Sequence, residues 1–230
     1  MNEQVLDYTL VPLGLIMMGA YHALLLLKII KQPTKTVVGI HAINRRFWVE
    51  AMMEDNKNNG VLAVQSLRNN IMASTVLAST AITLSSVIAI VMTSQGSDRV
   101  IGHVLGDASE MAYSFKFISI LVCFLLAFLL NLQSIRYYSH ASILINVPFK
   151  KIASPYLTVD YVCRIVNKGG YFWSLGSRAF YFSFPLFLWI FGPIPMFCCC
   201  VSLVVLLFFL DFPVELRAIT NGDCSMNYEP

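Results

Sequence analysis

Apolar residues dominate four stretches of this chain, and polar residues collect in the segments between them. The stretches are Leu10–Ile30, Ile71–Met92, Phe117–Leu132 and Ala179–Leu210. A helix needs roughly 20 residues to cross a hydrocarbon core of ~30 Å, and backbone inside a bilayer must satisfy its own hydrogen bonds. The short alternating strands that build membrane barrels are not seen. The pattern predicts an all-α, polytopic membrane protein with a four-helix transmembrane bundle and amphipathic cytosolic helices.

The predicted spans are slightly wider than these stretches, because the helices continue into their flanks. They lie in one membrane domain over residues 1–230, at about 8–30, 66–93, 115–134 and 178–210. The first is too long for the apolar region of a cleaved signal peptide and has no Lys or Arg before it, so we expect it to remain as a signal anchor.

The last apolar stretch is unusually long and is interrupted near its middle. At ~1.5 Å per residue it would exceed the hydrocarbon thickness, and Gly192, Pro193 and Pro195 stand within it. Proline removes a backbone donor and kinks or breaks a helix. We therefore predict a helix break here and interpret the run as a single broken crossing. A fifth crossing stays open if the first piece begins at Tyr171.

Lys and Arg are concentrated between the first two spans and between the last two. The segment between the second and third spans holds only Arg99, and the C-terminal tail only Arg217. Positive charge collects on the cytosolic side of membrane proteins. We therefore expect segments 31–65 and 135–177 to be cytosolic and both termini to be non-cytosolic.

The first cytosolic segment contains VVGIHAINRRFWVE, whose spacing predicts an amphipathic helix. The apolar stripe holds Ile40, Ile43, Phe47 and Ala51, and a neighbouring stripe holds His41, Arg45 and Trp48. Arg46 and Glu50 have the i, i+4 spacing of an ion pair. Such a helix lies along the membrane interface, with Trp48 at headgroup level and the arginines on phosphates. A docking site where Arg45 and Trp48 meet another cytosolic element is the alternative.

Two further local patterns predict structure in the cytosolic segments. NKNNG, residues 56–60, predicts a turn. In the second segment, Ser154 is expected to cap a helix that ends at Gly169–Gly170, with Asp160 and Arg164 paired at i, i+4. Two such elements on one side predict a small helical layer beneath the bundle.

Polar side chains in and beside the spans are the candidate functional residues. A hydroxyl stripe on the second span is the candidate lining of a permeation path, although small hydroxyls equally serve helix packing. Its members are Thr75, Ser79, Thr83 and Ser86. Candidate contacts at a cytosolic entrance, or with lipid headgroups, are Arg45, Arg46, Trp48, Gln65, Arg68, Asn69 and Arg136.

Composition narrows the functional classes. The chain is 57% hydrophobic and 13% charged, with a net charge of +3, and soluble domains carry about twice that charged fraction. The six cysteines and four histidines form no metal-ligand or catalytic pattern. We therefore expect no catalytic residues, no metal, no cofactor, no enzyme activity and no nucleic-acid partner. The expected partners are the lipid bilayer and anionic headgroups.

Five segments together resemble domain-of-unknown-function family 599, a family of plant and bacterial membrane proteins. They are LDYTLVPLGLIMMGAYH, VVGIHAINRRFWVE, LAVQSLRNNIMASTVLAST, SIRYYSHASILINVP and GGYFWSLGSRAFYFSFPLFLWIFGPIP. The resemblance covers nearly the whole chain. It implies a four-span membrane protein and brings no activity or catalytic residue.

The hydroxyl stripe and the broken last helix favour a channel- or transporter-like homo-oligomer as the function. The alternative is a membrane scaffold or regulatory protein that acts through its cytosolic amphipathic helices. Ion flux in liposomes would separate the two classes, because a scaffold predicts a stable cytosolic partner and no flux.

Overall fold

A computed structural model describes residues 3–94, 110–148 and 158–212, and nearly all of this part of the chain is helical. The helices are α1 (Glu3–Lys31), α2 (Val37–Glu54), α3 (Asn56–Ser94), α4 (Glu110–Leu144), α5 (Val159–Leu188) and α6 (Pro193–Asp211). A short 3-10 turn, Pro33–Lys35, joins α1 to α2. No strand occurs in these three ranges, which confirms the predicted all-α class.

Four of these helices are long and apolar enough to cross a membrane, within the part of the chain that the structure describes. The candidate spans are Val5–Lys31, Lys57–Thr93, Met111–Leu144 and Pro193–Asp211. Leucine, isoleucine, valine and phenylalanine side chains cover much of their outer surface, as expected of helices that face lipid. The predicted four-helix membrane bundle is confirmed.

The predicted turn at residues 56–60 is wrong, because these residues form the first turns of α3. Asp55 alone separates α2 from α3. Two hydrogen bonds join it to the first turn of α3: its backbone carbonyl accepts the Asn59 N–H at 3.0 Å, and its carboxylate accepts the Asn58 amide at 2.7 Å. These bonds hold the asparagines in helical conformation despite their preference for turns.

The predicted helical layer is formed by α2, the start of α3, the end of α4 and the start of α5. We call it the basic layer. Thr36 caps α2 by accepting the Gly39 N–H at 3.2 Å. The layer has its own apolar core, which includes Val49, Met53, Leu67 and Val162. The buried face of α2 thus differs from the predicted stripe: Val49 and Met53 are buried, whereas Phe47 and Ala51 are exposed.

The predicted end of the second cytosolic helix at Gly169–Gly170 is wrong. Helix α5 continues for five turns beyond these glycines. Both glycines are buried inside it and provide room for neighbouring groups. A Cβ on Gly169 would lie 3.0 Å from the Tyr138 ring, and the Gly169 carbonyl accepts the Ser134 hydroxyl at 2.9 Å. The helix begins at Val159 with Thr158 as its cap; the predicted cap Ser154 lies outside the described residues.

The predicted break at Gly192, Pro193 and Pro195 occurs, but it reverses the chain instead of kinking one crossing. Gly192 has φ 140°, which favours glycine, and α6 starts at the next residue. Arg178 of α5 donates to Asp211 at the far end of α6. The start and end of the 178–210 run therefore lie at the same level, so the single broken crossing is wrong and α5 and α6 form an antiparallel hairpin.

Helix α6 runs parallel to α1. Asp7 accepts the Trp189 indole N–H near the start of α6, and Tyr21 donates to Asp211 at its end. Asp7 and Tyr21 are ~21 Å apart along α1 at 1.5 Å per residue. The two described ends of the chain therefore lie at opposite ends of the bundle. The non-cytosolic location of both termini stays a prediction, which labelling of the two ends of the bundle can test.

Candidate functional site

Two adjoining cavities lie where the basic layer meets the membrane bundle. Their volumes are about 360 and 390 Å³, within the lower part of the range for small-molecule sites. Both are lined by His41 and Arg45 of α2 and by Trp173 of α5. We call the two together the Arg45 cleft. The segment VVGIHAINRRFWVE thus supplies two of the three residues that the two cavities share.

Arg45 is held in the cleft by a reciprocal contact between α2 and α5. Its Nε donates to Asn167 Oδ1 at 3.0 Å, and Asn167 Nδ2 donates to the Ala42 carbonyl at 3.1 Å. The guanidinium lies against Gly170, where a Cβ would overlap it. Arg45 thus contacts α5, which belongs to the second of the two segments predicted to be cytosolic.

No carboxylate in the described part of the chain balances the charge of Arg45. Among residues 3–94, 110–148 and 158–212, no Asp or Glu lies within ion-pair distance of its guanidinium. The ring centre of Tyr171 lies 6.0 Å from its Cζ. Burial lowers the pKa of Arg45, but an arginine remains charged at any physiological pH. The cleft therefore presents one uncompensated positive charge.

The walls of the two cavities are largely apolar or aromatic. The cavity on the side of α6 is lined by Val37, Val38, His41, Arg45, Leu77, Gly170, Trp173, Ser174, Ser177, Arg178, Phe180, Tyr181, Leu207, Leu210 and Asp211. The cavity on the side of α3 and α4 is lined by His41, Asn44, Arg45, Trp48, Asn70, Ala73, Tyr138 and Trp173. The amides of Asn44 and Asn70 therefore belong to the second cavity alone.

A neutral ion pair closes the far end of the first cavity. Arg178 donates two hydrogen bonds to Asp211, at 3.0 Å from Nη1 and 2.5 Å from Nη2. The Tyr21 hydroxyl donates to the same carboxylate at 2.6 Å. A bidentate arginine–carboxylate pair is strong and geometrically fixed. It joins α5, α6 and α1 at one level.

Arg46, another predicted contact residue of α2, lies on the surface of the basic layer. Arg46 pairs with Glu50 at 3.1 Å and lies 3.6 Å from Asp160, which also pairs with Arg164 at 2.7 Å. Both predicted i, i+4 pairs are present. The hydrogen bond that Arg46 donates to Glu50 raises the pKa of Arg46. This network is solvated and contributes little to stability.

Cys163 lies beneath that network and joins α5 to α2. It is buried, and its thiol is 3.7 Å from the Arg46 carbonyl. Burial raises the pKa of this thiol to about 11. A thiol with so high a pKa carries almost no thiolate at neutral pH, so Cys163 is a packing residue rather than a nucleophile.

The hydroxyl stripe of α3 faces away from the rest of the chain. Thr75, Ser79, Thr83 and Ser86 are all exposed on the outer surface. Three of the hydroxyls donate to their own helix: Thr75 to the Ile71 carbonyl, Thr83 to that of Ser79, and Ser86 to that of Ile82. These four hydroxyl side chains therefore do not line a path inside one copy of the chain.

The remaining predicted contacts are also on the outside of the molecule. Gln65, Arg68 and Asn69 are exposed on α3, and Arg136 is exposed on α4. None of the four lines either cavity. Trp48, by contrast, lines the second cavity of the Arg45 cleft.

A second buried polar cluster lies at the opposite end of the bundle. The side chains of Lys116 and Asp7 are almost fully buried, with Nζ and Oδ2 3.9 Å apart. Trp189 donates to the other oxygen of Asp7 at 3.0 Å, and Lys116 Nζ is 5.3 Å from the Trp189 ring centre. This cluster ties α1, α4 and the end of α5 together.

Sequence reasoning missed Trp173, Asn167 and the partners in both buried ion pairs. One signal was available: Arg178 and Asp211 flank the 179–210 run, and Lys116 directly precedes an apolar run at Phe117. Charged residues at the ends of apolar runs are equally typical of anchors at the membrane interface, so the sequence did not indicate buried ion pairs. Among the described residues, no group of three or more His, Cys, Asp or Glu side chains is placed to hold a metal.

Comparison with known proteins gives a family and no activity. Residues 9–215 match the family described as "Protein of unknown function, DUF599". No curated protein and no solved structure matches the chain. The match covers most of the chain and includes both the Arg45 cleft and the α5–α6 hairpin, as the resemblance of the five segments implied. The chain belongs to the DUF599 family.

Proposed function

We propose that this protein is a transporter-like membrane protein that holds an anionic ligand at Arg45. The observation that carries the proposal is the uncompensated charge of Arg45 in a cleft of small-molecule size. An ionised group withdrawn from water requires a partner to offset its desolvation. Asn167 holds the guanidinium in position without neutralising it. A bound carboxylate or phosphate group would supply the missing countercharge in bidentate geometry.

The position of the cleft supports transport over a purely structural role. It lies between the membrane bundle and the basic layer, and its far end meets the α5–α6 hairpin at Arg178 and Asp211. Ligand sites in helical proteins are commonly built between the packed helices of a bundle. The positive-inside rule assigns the basic layer to the cytosol, so the cleft would be reached from that side.

A homo-oligomeric channel is a weaker form of the same class. Thr75, Ser79, Thr83 and Ser86 face outward, so they would line a path only between copies of the chain. Outward hydroxyls do support helix association in a bilayer. Cross-linking of a cysteine placed at Ser79 tests this form, since a shared path needs α3 of one copy beside α3 of another.

A scaffold remains the second candidate function, and a specific observation favours it. Phe47 is 63% exposed on α2, and Arg46 and Glu50 flank it on the surface of the basic layer. Such a face fits either anionic headgroups or a cytosolic partner. Under this alternative Arg45 would only join α2 to α5.

The deciding experiment is anion uptake into proteoliposomes. We expect saturable uptake of radiolabelled benzoate by the wild-type protein and its loss in Arg45→Gln. Arg68→Gln is the matched control, because Arg68 is exposed and outside the cleft; it should retain uptake. If wild-type vesicles take up no more benzoate than empty vesicles, and Arg45→Gln binds anions as well as wild type, the transporter proposal is rejected in favour of a scaffold function.

A further inference from the structure

We infer that the ligand of the Arg45 cleft is an amphipathic monoanion, with its charged head on Arg45 and an apolar body along α5. The inference rests on the proposed function and deepens it, because it names the class of ligand. It follows from the charge of the cleft, the chemistry of its walls and the side on which it opens.

The charge of the first cavity matches a single negative group. Arg45 contributes one positive charge, whereas Arg178 is already neutralised by Asp211 through two hydrogen bonds. The remaining basic side chain of this wall, His41, is exposed to solvent. A dianion would therefore leave one of its charges desolvated without a partner, which is costly.

The walls between the two arginines favour an apolar body. They are built from Leu77, Trp173, Phe180, Tyr181 and Leu207 among others. Of the two serines in this wall, Ser177 already donates its hydroxyl to the Trp173 carbonyl at 3.0 Å. A sugar or a polycarboxylate would lose hydrogen bonds to water here that the walls do not replace.

The cavity is elongated and open toward the outer surface of the bundle. Gly170, against which Arg45 rests, and Arg178 are eight residues apart on α5, or ~12 Å along its axis. Several wall residues are also exposed: Trp173 is 41% exposed, Tyr181 38% and Leu210 58%. Because Leu210 lies on a candidate membrane span, this opening faces the lipid region. An amphiphile can therefore enter sideways from the bilayer, with its head at the basic layer.

Tryptophan quenching by a brominated fatty acid tests the inference directly. The chain has three tryptophans, and of these Trp173 lines the first cavity while Trp189 lies in the Asp7–Lys116 cluster. A reporter with Trp173 alone carries Trp48→Phe and Trp189→Phe. The matched control with Trp189 alone carries Trp48→Phe and Trp173→Phe. In detergent micelles, dibromodecanoate should quench Trp173 saturably and Trp189 only in linear proportion to its concentration in the micelle.

Two variants of the Trp173 reporter separate charge from shape. Arg45→Gln should abolish saturable quenching because the head loses its countercharge. Ser174→Phe should also abolish it, since the added ring occupies the cavity while the charge is unchanged, so the test does not depend on Arg45→Gln folding. Dibromodecanol, which lacks the charge, should quench Trp173 only linearly. Saturable quenching by dibromodecanol, or saturable quenching that survives both variants, would overturn the inference.

Competition distinguishes this inference from the proposed function and identifies the source of the ligand. If citrate or inorganic phosphate displaces the probe at lower concentration than decanoate does, the cleft binds anions but the amphipathic class is wrong. If no anion binds in a manner that depends on Arg45, the proposed function fails with it. Decanoate and didecanoyl phosphatidylglycerol share the monoanionic head and apolar body; the stronger competitor tells whether a free carboxylate or a lipid phosphodiester is held.

Discussion

Charged side chains inside the bundle occur as complementary pairs, and the pairing explains why they are tolerated there. Asp7 faces Lys116, and Asp211 faces Arg178, each with an aromatic residue as an additional hydrogen-bond donor. Removing one member of a buried pair strands the other and typically costs 3–5 kcal/mol, whereas replacing both is often nearly neutral. Arg45 differs from these four, because its charge has no such complement.

We expect Lys116→Met to lower the free energy of unfolding by about 3–5 kcal/mol. The substitution leaves the Asp7 carboxylate buried without the ammonium group. Asp7→Asn in the same chain should recover most of the loss, because the asparagine is uncharged and its carbonyl still accepts the Trp189 N–H. Denaturation of the detergent-solubilised protein by SDS, followed by tryptophan fluorescence, measures both variants.

Lys57→Met is the control for this prediction, because Lys57 is exposed and its loss should change stability little. If the double variant were less stable than Lys116→Met alone, Asp7 and Lys116 would not be energetically coupled.

At the level of single residues, the sequence predicted local pairs better than distant ones. Arg46–Glu50 and Asp160–Arg164 follow from helical spacing alone. The Arg178–Asp211 contact joins residues 33 positions apart and requires that the chain reverse between them. A proline-containing run is compatible with either a kink or a reversal, and only packing against α1 and α4 selects the second.

At the level of elements, the junction between α1 and α2 depends on one close backbone approach. A Cβ on Gly39 would lie 2.6 Å from the Pro33 carbonyl carbon and 2.8 Å from its Cα. Both are backbone atoms of the 3-10 turn, so they cannot move as the end of a flexible side chain would. Gly39 therefore constrains the angle between α1 and α2.

Gly39→Ala should consequently destabilise the protein by about 1–3 kcal/mol, the usual cost of forcing extra volume into a packed site. Gly19→Ala is the matched control: a Cβ there has nothing within 4 Å, and alanine favours the helix by about 0.5–1 kcal/mol. SDS denaturation midpoints measure the two variants. Equal midpoints would mean that the turn adjusts freely and does not set the position of α2.

The helices themselves were largely predictable, whereas several of their ends were not. Hydrophobic runs indicated α1, α3, α4 and α6, and 3.6-residue spacing indicated α2. Both failures involve strong local breakers, NKNNG and Gly169–Gly170. Local hydrogen bonds override the first and tertiary contacts override the second. Asp55 fixes the asparagines, and Tyr138 and Arg45 occupy the space that the glycines leave.

At the level of the whole molecule, the parallel packing of α1 and α6 leads to a topology prediction that differs from the one made by charge counting. Lys28 near the end of α1 lies 4.3 Å from the Phe212 ring centre at the end of α6. The end of α6 is thus next to the basic layer. Charge counting considered Lys and Arg alone, whereas the position of the end of α6 follows from the pairing of Asp211 with Arg178.

A cysteine at Phe212 should therefore be labelled from the same side of the membrane as one at Lys57. A cysteine at Met111, near the Asp7–Lys116 end, should be labelled from the other side. Membrane-impermeant maleimide on intact and permeabilised cells, in a cysteine-free background, distinguishes the sides. Labelling of the Phe212 and Met111 positions from the same side would contradict the parallel arrangement of α1 and α6.

The contact between Arg178 and Asp211 also bears on the order of events during synthesis. Asp211 lies 33 residues after Arg178 and is the last residue of α6. During synthesis Arg178 therefore gains this countercharge only when α6 is complete. We expect a chain that stops before Asp211 to leave the Arg178 guanidinium without this partner, and so not to hold α5 and α6 together as a stable hairpin.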